Sequence, residues 1–186
     1  MNSSLLSDRL WPVSDNAHAR TAVLAVVGSL IVAAAAQINV PMLPVPMTLQ
    51  SLAVLAIGAA YGARLGALTL ALYALEGVVG LPVFAEFKSG FMLASFGYVL
   101  GFILAAGLVG WLAERGWDRS GVKMFAAMLL GAAVLYGPGL AWLAVWIGSF
   151  AKAIEFGLLP FIAGDAVKAA IAALAFPAAH ALMGRR

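Results

Sequence analysis

The sequence predicts an all-α membrane protein, a compact bundle of six transmembrane helices with both termini on the cytoplasmic side. Of the 186 residues, 64% are hydrophobic and only 10% are charged, and the mean hydropathy is +1.02. Soluble domains are apolar over roughly half of their residues. No charged residue occurs in 21–63, 89–113, 124–151 or 169–184. Stretches of this kind are long enough to cross a hydrocarbon core of about 30 Å as helices.

Proline, glycine and charged residues divide the apolar sequence into six candidate helices. They are expected at about 21–38, 49–62, 65–79, 91–113, 124–148 and 161–183. The second and third are short for a membrane span. Because the intervening loops are too short to hold a soluble domain, we expect residues 1–186 to form a single six-helix domain.

A proline-rich segment separates the first two predicted helices. NVPMLPVPMTLQ, residues 39–50, contains three prolines, which lack the backbone donor and the dihedral freedom that a helix needs. Irregular backbone is not exposed to lipid inside a bilayer. The segment is therefore expected at an interface or covered by protein, where it is a candidate wall for a binding cavity.

The basic residues predict the orientation, because cytoplasmic loops carry an excess of lysine and arginine. Six spans with the N-terminus inside leave only Lys88, Lys152 and Lys168 toward the outside. The cytoplasmic set is then Arg9, Arg20, Arg64, Arg115, Arg119, Lys123, Arg185 and Arg186. An odd number of spans would mix the two sets, so the pattern favours an even number.

Small residues recur every four positions on the first predicted helix, at Ala25, Ser29 and Ala33. Such a stripe lets two helices approach closely in lipid. Two interpretations stay open at this point: packing within the bundle, or a docking face for another membrane subunit.

Several chemistries have no residues to support them. The sequence has no G-x-x-x-x-G-K-[ST] loop, so any ATP hydrolysis must come from another subunit. His18 and His180 lie at opposite ends of the chain and argue against a metal enzyme, and the absence of cysteine excludes thiolate catalysis. We therefore expect a protein that is not an enzyme and that works without a cofactor, a resident metal or a nucleic acid.

One charge pair interrupts the last apolar stretch, in GDAVKAAIAAL at 164–174. Asp165 and Lys168 are three residues apart and share a helix face. Ionisable groups at membrane depth are costly and normally face a bundle interior or a cavity. Capping of the helix N-terminus would explain Asp165. It does not explain Lys168, because a cation near a helix N-terminus opposes the helix dipole. Glu76 also interrupts an apolar helix, and the sequence leaves open whether it faces a cavity or bonds within the bundle.

Further polar residues are predicted on the same side as this pair. Thr48 and Gln50 either line a pocket or cap the second helix, and Glu86 with Lys88 forms either part of the pocket or a solvated loop pair. Tyr98 either joins the pocket or belongs to an interfacial aromatic belt.

Three sequence blocks resemble the BioY family, the biotin-binding S components of energy-coupling factor (ECF) transporters. AQINVPMLPVPMTLQ at 36–50, followed by GLPVFA, is similar to the family pattern AQI-x-x-P-x-x-PVP-x-TLQ with GLPVFA. GYVLGF follows at 97–102, and LPFIAGDAVK at 159–168 resembles LPF-x-x-GD-x-x-K. The chain departs from the family before GYVLGF, where Ala94, Ser95 and Phe96 replace a glycine-rich run ending in PTGGYL.

The resemblance implies capture of biotin from outside, in a cavity near the outer surface. Asp165 and Lys168 are then the residues that bind the ureido ring, because one accepts and the other donates hydrogen bonds. The resemblance makes Thr48, Gln50 and Tyr98 their neighbours. Apolar wall around the thiophane ring and valeryl chain is expected from residues such as Phe84 and Phe91.

The biotin carboxylate needs a cation or several donors, and Lys88, beside Glu86, is the residue predicted for it. The resemblance also implies a bacterial cytoplasmic membrane location and two kinds of partner, a transmembrane T component and a pair of ATPases. It favours the stripe at Ala25, Ser29 and Ala33 as the docking face. The alternatives are an S component for another vitamin, a self-sufficient secondary carrier that relays protons, and a membrane subunit without transport activity.

Overall fold

The computed structural model describes residues 5–11 and 17–183. This part of the chain forms eight α-helices, two 3-10 turns at Ala85–Phe87 and Trp117–Arg119, and one short antiparallel strand pair. The helices are α1 (Leu6–Leu10), α2 (Ala17–Gln37), α3 (Gln50–Tyr61), α4 (Ala63–Val78), α5 (Phe96–Ala113), α6 (Gly121–Ile147), α7 (Phe150–Gly157) and α8 (Leu159–Met183). The strands are β1 (Asn39–Val40) and β2 (Met47–Thr48). Arg185 and Arg186, part of the predicted cytoplasmic charge, lie outside the described residues.

The predicted all-α membrane class is confirmed, but the count of six helices is not reproduced. In the described part of the chain, four helical stretches are long and apolar enough to cross a membrane, at Ala17–Gln37, Phe96–Ala113, Gly121–Ile147 and Phe150–Met183. The last stretch joins α7 to α8 and contains Lys152, Glu155, Asp165 and Lys168. The sequence does not predict α7, because Lys152 and Glu155 interrupt the apolar pattern there. This short helix exposes those charged residues and buries Ala153 and Gly157.

The helix predicted to begin near residue 91 begins later, as α5 at Phe96. Residues 88–95 are irregular, with Gly90 at a φ of +85° that favours glycine. The indole of Trp142 donates a hydrogen bond of 2.9 Å to the Leu93 carbonyl. That contact fixes the irregular segment against α6 and leaves the apolar residues before Phe96 outside the helix.

α5 is the central helix and packs on α3, α4 and α6. Glycines allow the close approach: a Cβ atom at Gly101 would lie 2.5 Å from the Leu135 carbonyl oxygen, and one at Gly58 would lie 2.5 Å from that of Ala106. In lipid, small residues at helix contacts replace the hydrophobic driving force of water-soluble cores. The central position of α5 therefore depends on these backbone contacts.

The small-residue stripe on α2 faces α4. Ala25 is 4% exposed and Ser29 is 0% exposed, while Ala33 is half-buried. The Ser29 hydroxyl donates a hydrogen bond of 3.0 Å to the Glu76 carboxylate. Glu76 thus has a partner within the bundle, and of the three stripe residues only Ala33 has surface that another subunit could touch.

Three polar contacts stabilise the end of the bundle that lies opposite the start of α8. His180 Nε2 lies 2.6 Å from the carboxylate of Asp118, and both side chains are buried. Arg20 forms a salt bridge of 2.7 Å with Asp8 and also donates to the Trp11 carbonyl. These contacts join α8 to the α5–α6 connection and α2 to α1.

Candidate functional site

A cavity opens at the end of the bundle where α3, α5 and α8 begin. Its empty volume, which includes the solvent space at its mouth, is about 580 Å³. The wall is largely apolar, and polar side chains are concentrated on one side. The lining residues are Val45, Pro46, Thr48, Gln50, Ser51, Phe84, Ala85, Ser95, Tyr98, Val99, Phe102, Leu135, Tyr136, Phe161, Asp165 and Lys168.

An ion pair forms the polar side of the cavity. Lys168 Nζ lies 3.2 Å from Asp165 Oδ1, and the two side chains are 13% and 10% exposed. The ammonium also donates to the Thr48 carbonyl at 2.8 Å and to the Ser51 hydroxyl at 2.7 Å. A buried pair of this kind is held by its additional hydrogen bonds. The three N–H bonds of Lys168 therefore each have an acceptor in the protein.

The Asp165 carboxylate is held by three groups. Its Oδ1 accepts from Lys168 and, at 3.3 Å, from the Ser51 hydroxyl, while its Oδ2 accepts from the Tyr136 hydroxyl. An ionised carboxylate has about four acceptor sites. Among the described residues, these donors leave one acceptor site, on Oδ2, for a ligand in the cavity.

Local structure explains how Thr48 reaches the ion pair. The prolines in the 39–50 segment exclude a helix, and the segment folds back so that Asn39 pairs with Thr48 across β1 and β2. The Thr48 hydroxyl accepts from the backbone N–H of Gln50 at 3.2 Å, at the start of α3. Thr48 therefore lies just before α3, whose N-cap residue is Leu49. Its hydroxyl accepts from the first helical N–H and its carbonyl accepts from Lys168, so Thr48 lines the cavity but is not the capping residue.

Aromatic rings form much of the remaining wall. Tyr98 and Tyr136 meet edge to face, with ring centroids 6.2 Å apart and an interplanar angle of 88°. Phe84 is packed edge to face on Tyr73 at 5.4 Å, and the absence of a side chain at Gly77 leaves room for its ring. Such pairs add about 1 kcal/mol to the burial of the rings. The wall is thus held by ring contacts from α4, α5 and α6.

Gln37 anchors the loop that carries Phe84. Its amide donates to the Phe84 carbonyl at 3.0 Å and accepts from the Phe87 backbone N–H at 3.1 Å. Glu86 and Phe87 have positive φ values of 60° and 57°, a conformation that costs energy for residues other than glycine. The two hydrogen bonds from Gln37 stabilise this 3-10 turn. Gln37 belongs to the AQI part of the block at 36–50, but the sequence pattern predicts no role for it.

Six of the predicted site residues line the same cavity: Asp165, Lys168, Thr48, Gln50, Tyr98 and Phe84. Gln50 contributes less to the opening than expected, because its amide is buried and donates to the Tyr73 hydroxyl at 2.7 Å. The structure does not bring Lys88 and Glu86 to the cavity wall. These two side chains pair with each other and are 54% and 37% exposed, since the 3-10 turn directs them outward. Phe91, also expected in the wall, is 54% exposed.

Two residues of the polar network were missed by sequence reasoning. Tyr136 is not among the predicted site residues, yet its hydroxyl donates to Asp165, which lies 29 residues away in sequence. Ser51 directly follows Gln50 and bonds to Asp165 and Lys168 across more than 100 residues. The one available signal was the position of Ser51 on the first turn of the helix that begins at Gln50.

The arrangement suits recognition of a small ligand with an apolar body and a polar head. The acceptor site of Asp165 matches a ligand N–H, and the aromatic wall matches apolar rings or chains. Within residues 5–11 and 17–183, no cluster of three or more histidine, aspartate or glutamate side chains could hold a metal ion. The acceptor site of Asp165 and the apolar wall together have the features of a small-ligand binding site.

Comparisons with known proteins identify the family and the fold of the chain. A family model described as the BioY family matches residues 7–185. The biotin transporter BioY of Thermotoga maritima is 37% identical over 147 residues, which cover 77% of this chain and 86% of the relative. The biotin transporter BioY of Rhizobium etli is 39% identical over 148 residues, covering 74% and 79%. The crystal structure of the S-component for biotin from an ECF-type ABC transporter has the same fold, with a TM-score of 0.76, 20% identity, and coverage of 92% of this chain and 95% of that one.

Proposed function

This chain belongs to the BioY family, and from that premise we propose that the cavity beside Asp165 and Lys168 binds biotin. The chain is a transport protein and not an enzyme. It takes up biotin as the substrate-binding S component of an ECF-type transporter. The observation that supports the site most directly is the buried ion pair in the wall of a largely apolar cavity.

The chemistry of biotin fits the two sides of this cavity. The ureido ring carries two N–H donors and one carbonyl acceptor, and the free acceptor site on Asp165 Oδ2 can receive one of these N–H groups. Lys168 has its three donors engaged by Asp165, Ser51 and the Thr48 carbonyl. We therefore assign Asp165 to direct recognition and Lys168 to balancing the charge of the carboxylate and orienting it.

We propose the following membrane arrangement for this transport protein. The cavity faces outward and both termini lie on the cytoplasmic side of the bacterial cytoplasmic membrane, which follows the distribution of basic residues. Energy comes from partner subunits, a transmembrane T component and ATPases, since the sequence lacks a nucleotide-binding loop. Among the stripe residues only Ala33 is accessible to such a partner, because Ala25 and Ser29 are packed inside the bundle.

Titration calorimetry of the detergent-purified protein with biotin tests the assignment. We expect saturable binding by the wild type and an unchanged dissociation constant, within about 2-fold, for Lys88→Ala, because exposed ion pairs contribute little. A folded wild type that binds another vitamin, or no vitamin, would refute biotin as the ligand. A large loss of binding in Lys88→Ala would instead show that this exposed lysine reaches the ligand.

Tyr136→Phe is expected to weaken biotin binding by about 10-fold. The substitution removes the hydroxyl that donates to Asp165 Oδ2 and keeps the ring that contacts Tyr98, and one hydrogen bond to a charged group contributes about 1.5–3 kcal/mol. Calorimetry with thermal unfolding as the folding control measures this. Phe161→Leu is the matched comparison for the apolar wall, because it alters a lining ring without touching the polar network. Unchanged affinity in Tyr136→Phe would exclude a role for this hydroxyl in orienting Asp165.

A further inference from the structure

We propose that Gly139 and Gly157 form a slot that seats the ring of Tyr98, and that both glycines are positioning residues for the ligand cavity. The slot joins α6 to α7, the short helix that the sequence did not predict. The proposal rests on the proposed function insofar as the cavity binds biotin. The seating of Tyr98 itself can be tested without any ligand.

The geometry leaves the Tyr98 ring no space on these two sides. A Cβ atom at Gly139 would lie 2.4 Å from Tyr98 Cδ1 and 2.5 Å from Cε1, and one at Gly157 would lie 2.3 Å from the Tyr98 hydroxyl oxygen. The hydroxyl also donates a hydrogen bond of 2.8 Å to the Gly157 carbonyl. Tyr98 is only 7% exposed. Both glycines are therefore required for the ring to lie where it does, and Gly157 also supplies its hydrogen-bond acceptor.

The position of Tyr98 matters for the polar side of the cavity. Its ring stands perpendicular to that of Tyr136, and the Tyr136 hydroxyl donates to Asp165. A side chain in the slot would push Tyr98 toward the cavity, where it lines the wall, or against Tyr136. Interiors are close-packed and transmit such displacements. We infer that the slot orients the Asp165 carboxylate through two aromatic rings, although neither glycine itself lines the cavity.

Plain helix packing is the competing explanation for these glycines. It predicts that a methyl group at 157 lowers stability without changing the affinity of the folded protein. It also predicts no special relation between residue 157 and the hydroxyl of Tyr98. A positioning role instead predicts a change in affinity and a coupling between residue 157 and the Tyr98 hydroxyl, because the methyl group would meet the hydroxyl oxygen first.

The experiment compares Gly157→Ala with Gly137→Ala, with Tyr98→Phe and with the double variant Tyr98→Phe/Gly157→Ala. Gly137 lies on α6 two residues before Gly139. Apart from its chain neighbours and the backbone of its own helix, no described atom lies within 4 Å of the Cβ position there. We expect Gly157→Ala to weaken biotin binding by about 10-fold, and Gly137→Ala to change it by less than about 2-fold. In the double variant the affinity should recover toward that of Tyr98→Phe alone, because the nearest atom that the methyl group meets is gone. The next closest atom, Leu143 Cδ2 at 2.5 Å, is the end of a flexible side chain that can turn away; such coupling is typical of residues in contact.

Two results would overturn the proposal. One is unchanged biotin affinity in folded Gly157→Ala, and the other is a loss of affinity that Tyr98→Phe does not relieve. A wild type that binds no biotin refutes the proposed function separately. In that case, thermal unfolding of the same proteins without ligand decides on the slot: non-additive melting temperatures for positions 98 and 157 support it, and additive ones refute it.

Discussion

The Asp165→Asn variant is expected to bind biotin about 100-fold more weakly than the wild type, a loss of about 3 kcal/mol. The amide keeps the size of the carboxylate but loses its charge, and one of its two polar atoms becomes a donor. That donor would face Lys168 or the Tyr136 hydroxyl, both of which donate to the native carboxylate. The ligand N–H would thus lose its charged acceptor, and the amide that replaces the carboxylate would not be held in the same orientation.

Titration calorimetry on the folded variant measures this loss of affinity. A double variant that removes both charges of the ion pair is the control. Asp165→Asn leaves the largely buried ammonium of Lys168 without a counter-charge, which is strongly destabilising in buried pairs. The double variant Asp165→Asn/Lys168→Met removes both charges, so we expect its melting temperature to exceed that of Asp165→Asn while binding stays weak. Wild-type affinity in Asp165→Asn would contradict the proposed site. Recovery of binding in the double variant would contradict direct recognition by Asp165.

Gly110→Ala is expected to destabilise the bundle by about 2–3 kcal/mol, as overpacking of a tight contact does. A Cβ atom at Gly110 would lie 2.3 Å from the carbonyl carbon of Gly62 and 2.4 Å from the nitrogen of Ala63. Both are backbone atoms at the junction of α3 and α4, so no side-chain rotation can relieve the contact. α5 would have to move away from two helices at once.

Gly107→Ala is the matched control for this substitution on the same helix. Its Cβ atom would meet only ordinary contacts, the nearest being the Ala67 side chain at 3.7 Å. Alanine favours a helix over glycine by about 1 kcal/mol, so we expect Gly107→Ala to leave the melting temperature unchanged or slightly raised. Thermal unfolding in detergent compares the two. Equal melting temperatures would show that the α5 contact adjusts freely.

The sequence was sufficient where the relevant physics is local or compositional. Apolar content and charge-free length identify a membrane protein, because the cost of burying charge in lipid is large whatever the fold. The spacing of Asp165 and Lys168 puts them on one helix face, and the two do form an ion pair. The prolines of 39–50 exclude a helix there. Each of these inferences depends on residues close together in the chain.

The tertiary structure decided which distant groups complete the site. The hydroxyls of Tyr136 and Ser51 reach Asp165 from other helices, and nothing local in the sequence indicates those contacts. Gln37, about 50 residues earlier in the chain, accepts a hydrogen bond from the Phe87 backbone and so holds the turn between Glu86 and Lys88. In that turn the two side chains pair with each other outside the cavity. The short helix α7 depends on packing of Ala153 and Gly157 against the bundle. Composition therefore determined the membrane class, and local spacing determined the Asp165–Lys168 pair. Close packing between helices that are distant in sequence determined which side chains bond to that pair.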